Sequence, residues 1–147
     1  MGTPQQNGVA ERKNRHVLEV ARSLLFEYNM PKVYWDCAIT TAIYLINRMP
    51  SKIINFETPL KKLSTFVTIP SILNLPPKIF GCVAYVHIPK NQRTKIEPCA
   101  MRCVFVGYGT HQKGYRCYNP TTKRMFLTMD VTFVETERYF QEPRYPS

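Results

Sequence analysis

The groups in this 147-residue chain that could hold a metal ion or move a proton are ten acidic side chains, five cysteines and three histidines. Glu11 stands in Gly8-Val9-Ala10-Glu11-Arg12-Lys13-Asn14-Arg15, inside an apolar period that reads as a helix. Taken alone it is a helical i,i+4 partner of Arg15, a pairing that stabilises by only ~0.2–0.5 kcal/mol. Asp36 and Asp130 are the only aspartates, and both are remote from Glu11 in sequence. Hard divalent cations take several oxygen ligands, so none of these carboxylates makes a site by itself. His16, His87 and His111 are scattered. Among Cys37, Cys82, Cys99, Cys103 and Cys117 only Cys99 and Cys103 are close, with no second pair and no His-x-x-x-His partner. Zinc is therefore not expected, and the thiols are expected to be reduced and packed as small apolar groups.

The charge distribution is more informative. Residues 1–60 carry 7 Lys/Arg against 5 Asp/Glu, residues 61–125 carry 11 against 1, and residues 126–147 carry 2 against 4. The net +10 thus resides in the middle of the chain, where Glu97 is the single acid. Such a stretch either attracts a polyanion, nucleic acid being the commonest in a cell, or forms a solvated basic face. Lys90, Arg93, Lys95 and Arg102 are the candidates for a patch that holds a phosphate backbone without reading sequence. Lys113-Gly114-Tyr115-Arg116 has two readings: cations flanking an exposed aromatic that stacks on bases, or a tight turn with Tyr115 in the core.

The elements that must position these groups change type midway. Over residues 9–28 Val9, Val17, Val20, Ala21, Leu24 and Tyr28 fall on one helical face, with the regular helix starting near position 8 and ending at Asn29-Met30-Pro31. A second helix is expected over residues 32–48, with Trp35, Ala38, Ile39, Ala42, Leu45 and Ile46 as a core-facing stripe closed by Pro50. Thr58-Pro59 could cap one more turn. Residues 64–78, with Pro70, Pro76 and Pro77, read as a connector. Strands follow at 79–88, 102–108, 115–118, 124–128 and around Val131 and Phe133, with a hairpin signal at Asn119-Pro120-Thr121-Thr122. Several short strands in so little chain predict a small SH3-like β-barrel over residues 79–135, with a tail at 136–147. No apolar run suits a bilayer, and the N-terminus has no signal-peptide pattern. Gly2 has Gln6 where myristoylation needs Ser or Thr, so an intracellular protein without membrane contact is expected.

Residues 3–15, Thr-Pro-Gln-Gln-Asn-Gly-Val-Ala-Glu-Arg-Lys-Asn-Arg, closely resemble the end of the integrase catalytic core in Pol polyproteins of copia-type LTR retrotransposons. The likeness continues through residues 44–51, Thr58-Pro59, residues 80–89, 105–108 and 113–118, in the family's order. It implies an α+β chain, in which residues 1–63 are the C-terminal helices of an RNase H-like core and an SH3-like β-barrel follows. Glu11 sits where the family's third metal-binding carboxylate belongs, and Asn14, Arg15 and Arg22 resemble DNA-contacting neighbours. In the parent enzyme two Mg²⁺ or Mn²⁺ ions would activate attack and stabilise the leaving oxygen in DNA strand transfer. The family's two aspartates lie upstream, whereas this chain starts ten residues before Glu11. The resemblance therefore predicts a fragment that is no enzyme alone, holds no metal, and has helical faces without their sheet. DNA is the expected partner, with the rest of Pol or an integrase oligomer as others, in the nucleus or a cytoplasmic virus-like particle. The alternatives are a protein-interaction module of Pol and an inactive transposon relic.

Overall fold

The computed structural model describes residues 4–47, 75–92, 95–96 and 99–141. The first element, α1, runs Pro4–Glu27. It starts within a few residues of the expected position 8, at Pro4, a position where proline's fixed φ suits the helix and its missing N–H costs nothing. The helix ends in a left-handed residue, Asn29, at φ 54°. Met30 N–H donates to the Leu25 carbonyl at 2.8 Å and Asn29 N–H to that of Phe26 at 3.3 Å. This pair of bonds is the Schellman arrangement, and Met30 and Leu25 are both buried beside it. After Pro31 the chain makes a 3₁₀ turn, Lys32–Tyr34, before α2, Trp35–Ile46. The second helix is thus shorter than the expected 32–48. The possible turn at Thr58-Pro59 and most of the 64–78 connector lie outside the described residues.

Five strands follow: β1 Cys82–His87, β2 Ala100–Tyr108, β3 Tyr115–Asn119, β4 Arg124–Thr128 and β5 Val131–Arg138. They form one antiparallel sheet in the order β4-β3-β2-β1-β5. The hairpin signal is met. Asn119 pairs with Arg124 across the β3–β4 loop, its Oδ1 accepts from Thr122 N–H at 2.9 Å, and Lys123 takes φ 59°. The first strand starts later than expected, since residues 79–81 turn instead. Gly81 sits at φ 88°, and a Cβ there would meet Met30 Sδ at 2.9 Å. Its carbonyl receives Tyr139 N–H at 3.1 Å, which extends the last strand's reach along β1 well past Phe133.

Alternation along the strands divides the side chains between two cores. Cys82, Ala84, Val86, Met101, Cys103, Phe105, Tyr115 and Cys117 face inward. Phe105 is fully buried at the centre, with Phe133 edge-on at 5.2 Å and Tyr115 at 5.8 Å. Val104 and Val106 point the other way and, with Phe80, pack on Ala21, Leu25, Tyr34, Ala38 and Ala42. The alanines let the helix backbones approach the sheet closely. Tyr44 of α2 reaches past them to stack on Tyr108 at 3.7 Å, and its hydroxyl donates to the Leu75 carbonyl at 2.6 Å. The helical faces expected to lack the core's own sheet are covered here by the outer face of this sheet. Among the described residues no helix is long and apolar enough to cross a membrane.

Candidate nucleic-acid interface

Strand register brings distant cations to one end of the sheet. His87 pairs with Ala100, so the β1–β2 loop carrying Lys90 and Lys95 opens at the start of β2. Arg102 follows two residues later, and its carbonyl accepts from Asn119 Nδ2 at 3.2 Å. That bond ties β2 to the end of β3, and the loop that follows bears Lys123 and leads into Arg124 of β4. All five cations are on exposed residues. The Arg102 guanidinium lies 4.6 Å from the Tyr139 ring centre, and that of Arg124 4.8 Å from Phe126. Arg93 lies outside the described residues, as does Glu97, the one acid of the basic stretch. Among the described residues Asp130 also lies at this end, its backbone carbonyl accepting His87 N–H at 3.0 Å.

Other candidates are elsewhere. Glu11, Asn14 and Arg15 are exposed near the start of α1, and Arg22 is exposed near its end. Lys113 is exposed in the β2–β3 loop, at the other end of β2. Arg116 is half-buried and alternates with the inward Tyr115 and Cys117, which turns it toward the helices and brings its charge to bear on Cys37 of α2. Tyr115 is only 5% exposed and donates its hydroxyl to the Pro76 carbonyl at 2.9 Å. Of the two readings of that segment, the core one is correct. Tyr115 is not presented between two cations for base stacking.

Glu11 stands apart from Asp36. Asp36 lies in the first turn of α2, just beyond the far end of α1, and sixteen residues of helix from Glu11 to Glu27 span roughly 24 Å. Asp130 sits in the β4–β5 link. Among the described residues no three His, Cys, Asp or Glu side chains come together in a way that could hold a metal ion. The described carboxylates therefore do not fit a two-metal centre.

The cysteines behave as core. Cys82, Cys103 and Cys117 are fully buried, Cys37 is partly buried and Cys99 is exposed. Burial pushes the Cys82 thiol up to about 12 and that of Cys103 up to about 11. Cys117 is also driven up, first by burial and then by its neighbours Cys103 and Cys82. Burial raises Tyr34 to about 12 as well. Because these values are raised in the folded state, their contribution to stability is complete below the ordinary thiol value of 9.0 and is lost as pH climbs towards the folded values. Each thiol then removes up to about 1.4 kcal/mol per pH unit. The urea midpoint is expected to fall between about pH 9 and pH 11, and a midpoint unchanged over that interval would contradict the burial of the three thiols.

Sequence reasoning missed Lys123 and Arg124 at the sheet end, and Tyr139, on whose ring the Arg102 guanidinium packs. It also missed a groove beside the end of α1, where Phe26 is 87% exposed. The cation positions could have been found by pairing the strands around the Asn119-Pro120 hairpin, but the groove has no local sequence signal.

Residues 82–147 match the family of the retroviral polymerase SH3-like domain. Over 136 residues, 92% of the chain, the sequence is 45% identical to the retrovirus-related Pol polyprotein from transposon TNT 1-94 of Nicotiana tabacum, of which it covers 10%. It is 38% identical over 133 residues, 90% of the chain, to the retrovirus-related Pol polyprotein from transposon RE1 of Arabidopsis thaliana, of which it covers 9%. An uncharacterized mitochondrial protein of Arabidopsis thaliana is 37% identical over 89 residues, 60% of this chain and 68% of that protein. The chain thus spans about a tenth of the length of the Pol polyproteins it matches. No solved structure matches it. With the expected strands present, a five-stranded antiparallel sheet inside the matched domain, and nearly the whole sequence aligned to transposon polyproteins, the chain belongs to the copia-type retrotransposon Pol family as a segment carrying the retroviral polymerase SH3-like domain.

Proposed function

We propose that this segment is the DNA-contacting portion of a retrotransposon integrase, gripping the phosphate backbone without regard to sequence. In this reading α1 and α2 are the last helices of an RNase H-like core, and Glu11 is the parent's third carboxylate. Mg²⁺ or Mn²⁺ chemistry belongs to the parent, where the upstream aspartates complete the ligand set, so this chain alone performs no strand transfer. Its place of action is the nucleus or a cytoplasmic virus-like particle, in company with the rest of Pol or an integrase oligomer.

The observation that carries the proposal is the gathering of Lys90, Lys95, Arg102, Lys123 and Arg124 at one sheet end, within a stretch of 11 cations and one acid. Five phosphate contacts would release about 0.9 counterion each, giving a log–log salt slope near −4.5. The test is titration of the chain with a random-sequence DNA duplex across a salt series. Micromolar or tighter binding with a slope near that value, alike for unrelated sequences, is the expected result. Absence of binding at low salt would reject the DNA reading in favour of a protein-docking module or an inactive relic.

A further inference from the structure

The end of α1, the turn at residues 28–32, the start of α2 and the residues just after β5 enclose an open groove. Its apolar wall includes Phe26, Trp35 and Phe140, and its cations are Arg22 and Lys32. No acidic side chain lines it, although Glu19, Glu27 and Asp36 are carried on the same helices. Asn29 also lines the groove, and its Nδ2 is buried with no hydrogen-bond partner. The groove is not isolated from the basic sheet end. From the Arg102 guanidinium it is 4.6 Å to the Tyr139 ring, and from Tyr139 to Phe140 a further 5.0 Å.

Building on the DNA reading above, we propose that this groove takes unpaired bases of a single-stranded nucleic acid whose backbone continues onto the cations around Arg102. Phe26 and Trp35 offer ring faces on which bases can stack, a contact that tolerates any base. Arg22 and Lys32 meet the phosphates between them. A peptide would use the apolar wall too. It has no reason to carry one negative charge per unit along the path to Arg102, which a nucleic-acid strand does.

Trp35 is the chain's one tryptophan, so its emission reports on the groove directly. The full chain is titrated with an oligothymidylate of about twelve residues, with an abasic strand of the same length and charge, and with a duplex. Stacking predicts that oligothymidylate quenches Trp35 and binds at least about tenfold more tightly than the abasic strand. Replacing Phe26 with Ala should remove most of that margin without unfolding the chain, because the ring is 87% exposed, and should leave duplex binding unchanged. Equal affinity for the two strands, with duplex binding intact, overturns the base-binding groove alone. Loss of all three interactions overturns the DNA reading itself. Quenching by a blocked acidic-apolar peptide but not by oligothymidylate would overturn the proposal in favour of a peptide site.

Discussion

A chain that begins at Leu75, without α1 and α2, is expected to be insoluble or to form a loosely packed, dye-binding state. The sheet's outer face carries Phe80, Val104 and Val106, which are at most 2% exposed only because the helices cover them. Each such side chain is worth about 1.5–3 kcal/mol of burial, or about 5–9 kcal/mol together. That is comparable with the whole stability of an ordinary domain, about 5–15 kcal/mol. The truncation also removes the Tyr28 hydroxyl that donates to the Glu135 carbonyl at 2.5 Å and the Tyr44 ring stacked on Tyr108. Sedimentation, near-UV circular dichroism and binding of a hydrophobic dye would compare the shortened and full chains. A monomeric shortened chain with a sharp unfolding transition would show that the sheet does not need its helical cover. In the full chain, Ala38→Asp tests the same interface with one charge. An unpaired carboxylate at a fully buried position costs several kcal/mol unless it stays protonated, so the urea midpoint should drop sharply.

That interface also marks the limit of what the sequence made legible. Apolar periodicity identifies which side of α1 and α2 is buried, and Ala21, Leu25, Ala38 and Ala42 do face inward. It says nothing about what that side meets. Resemblance to an integrase core suggested an absent sheet, whereas the sheet present in the chain supplies the cover. Turn chemistry was the better guide to boundaries. The Asn119-Pro120 signal placed β3 and β4 closely, because the Asn119 side chain and the left-handed Lys123 close the loop locally. Residues 79–81 were misread as strand because Ile79, Phe80 and Cys82 have strand-like types. The conformation there is set by Gly81, whose positive φ fits against Met30 from another element. The orientation of Tyr115 was open in the sequence, and one line of it contains the answer. Tyr115 and Cys117 alternate with Arg116 and Tyr118, and the apolar wall needed the first pair inside. Lys123 and Arg124 were overlooked because their nearness to Lys90 follows from strand register, which composition and spacing do not specify.

Replacing Lys90, Lys95 and Lys123 together with Glu is expected to weaken duplex binding by about a hundredfold or more at low salt and to flatten the salt slope by about 2.7. The slope is the stronger test, because each phosphate contact removed subtracts about 0.9 whatever the residual affinity. All three lysines are exposed, so stability should move by no more than about 0.5 kcal/mol per substitution, about 1.5 kcal/mol in all. Arg102 is left in place because its guanidinium packs on Tyr139, and its loss would confound structure with charge. Arg15→Glu on α1 serves as the comparison. A general polyanion attraction spread over the net +10 chain would make that single change about a third as damaging as the triple one, simply by charge count. A localised interface at the sheet end would leave its slope intact. If the triple variant keeps the parent slope while Arg15→Glu lowers it, the DNA contact lies along α1 beside Glu11, and the cations gathered by the sheet are a solvated face.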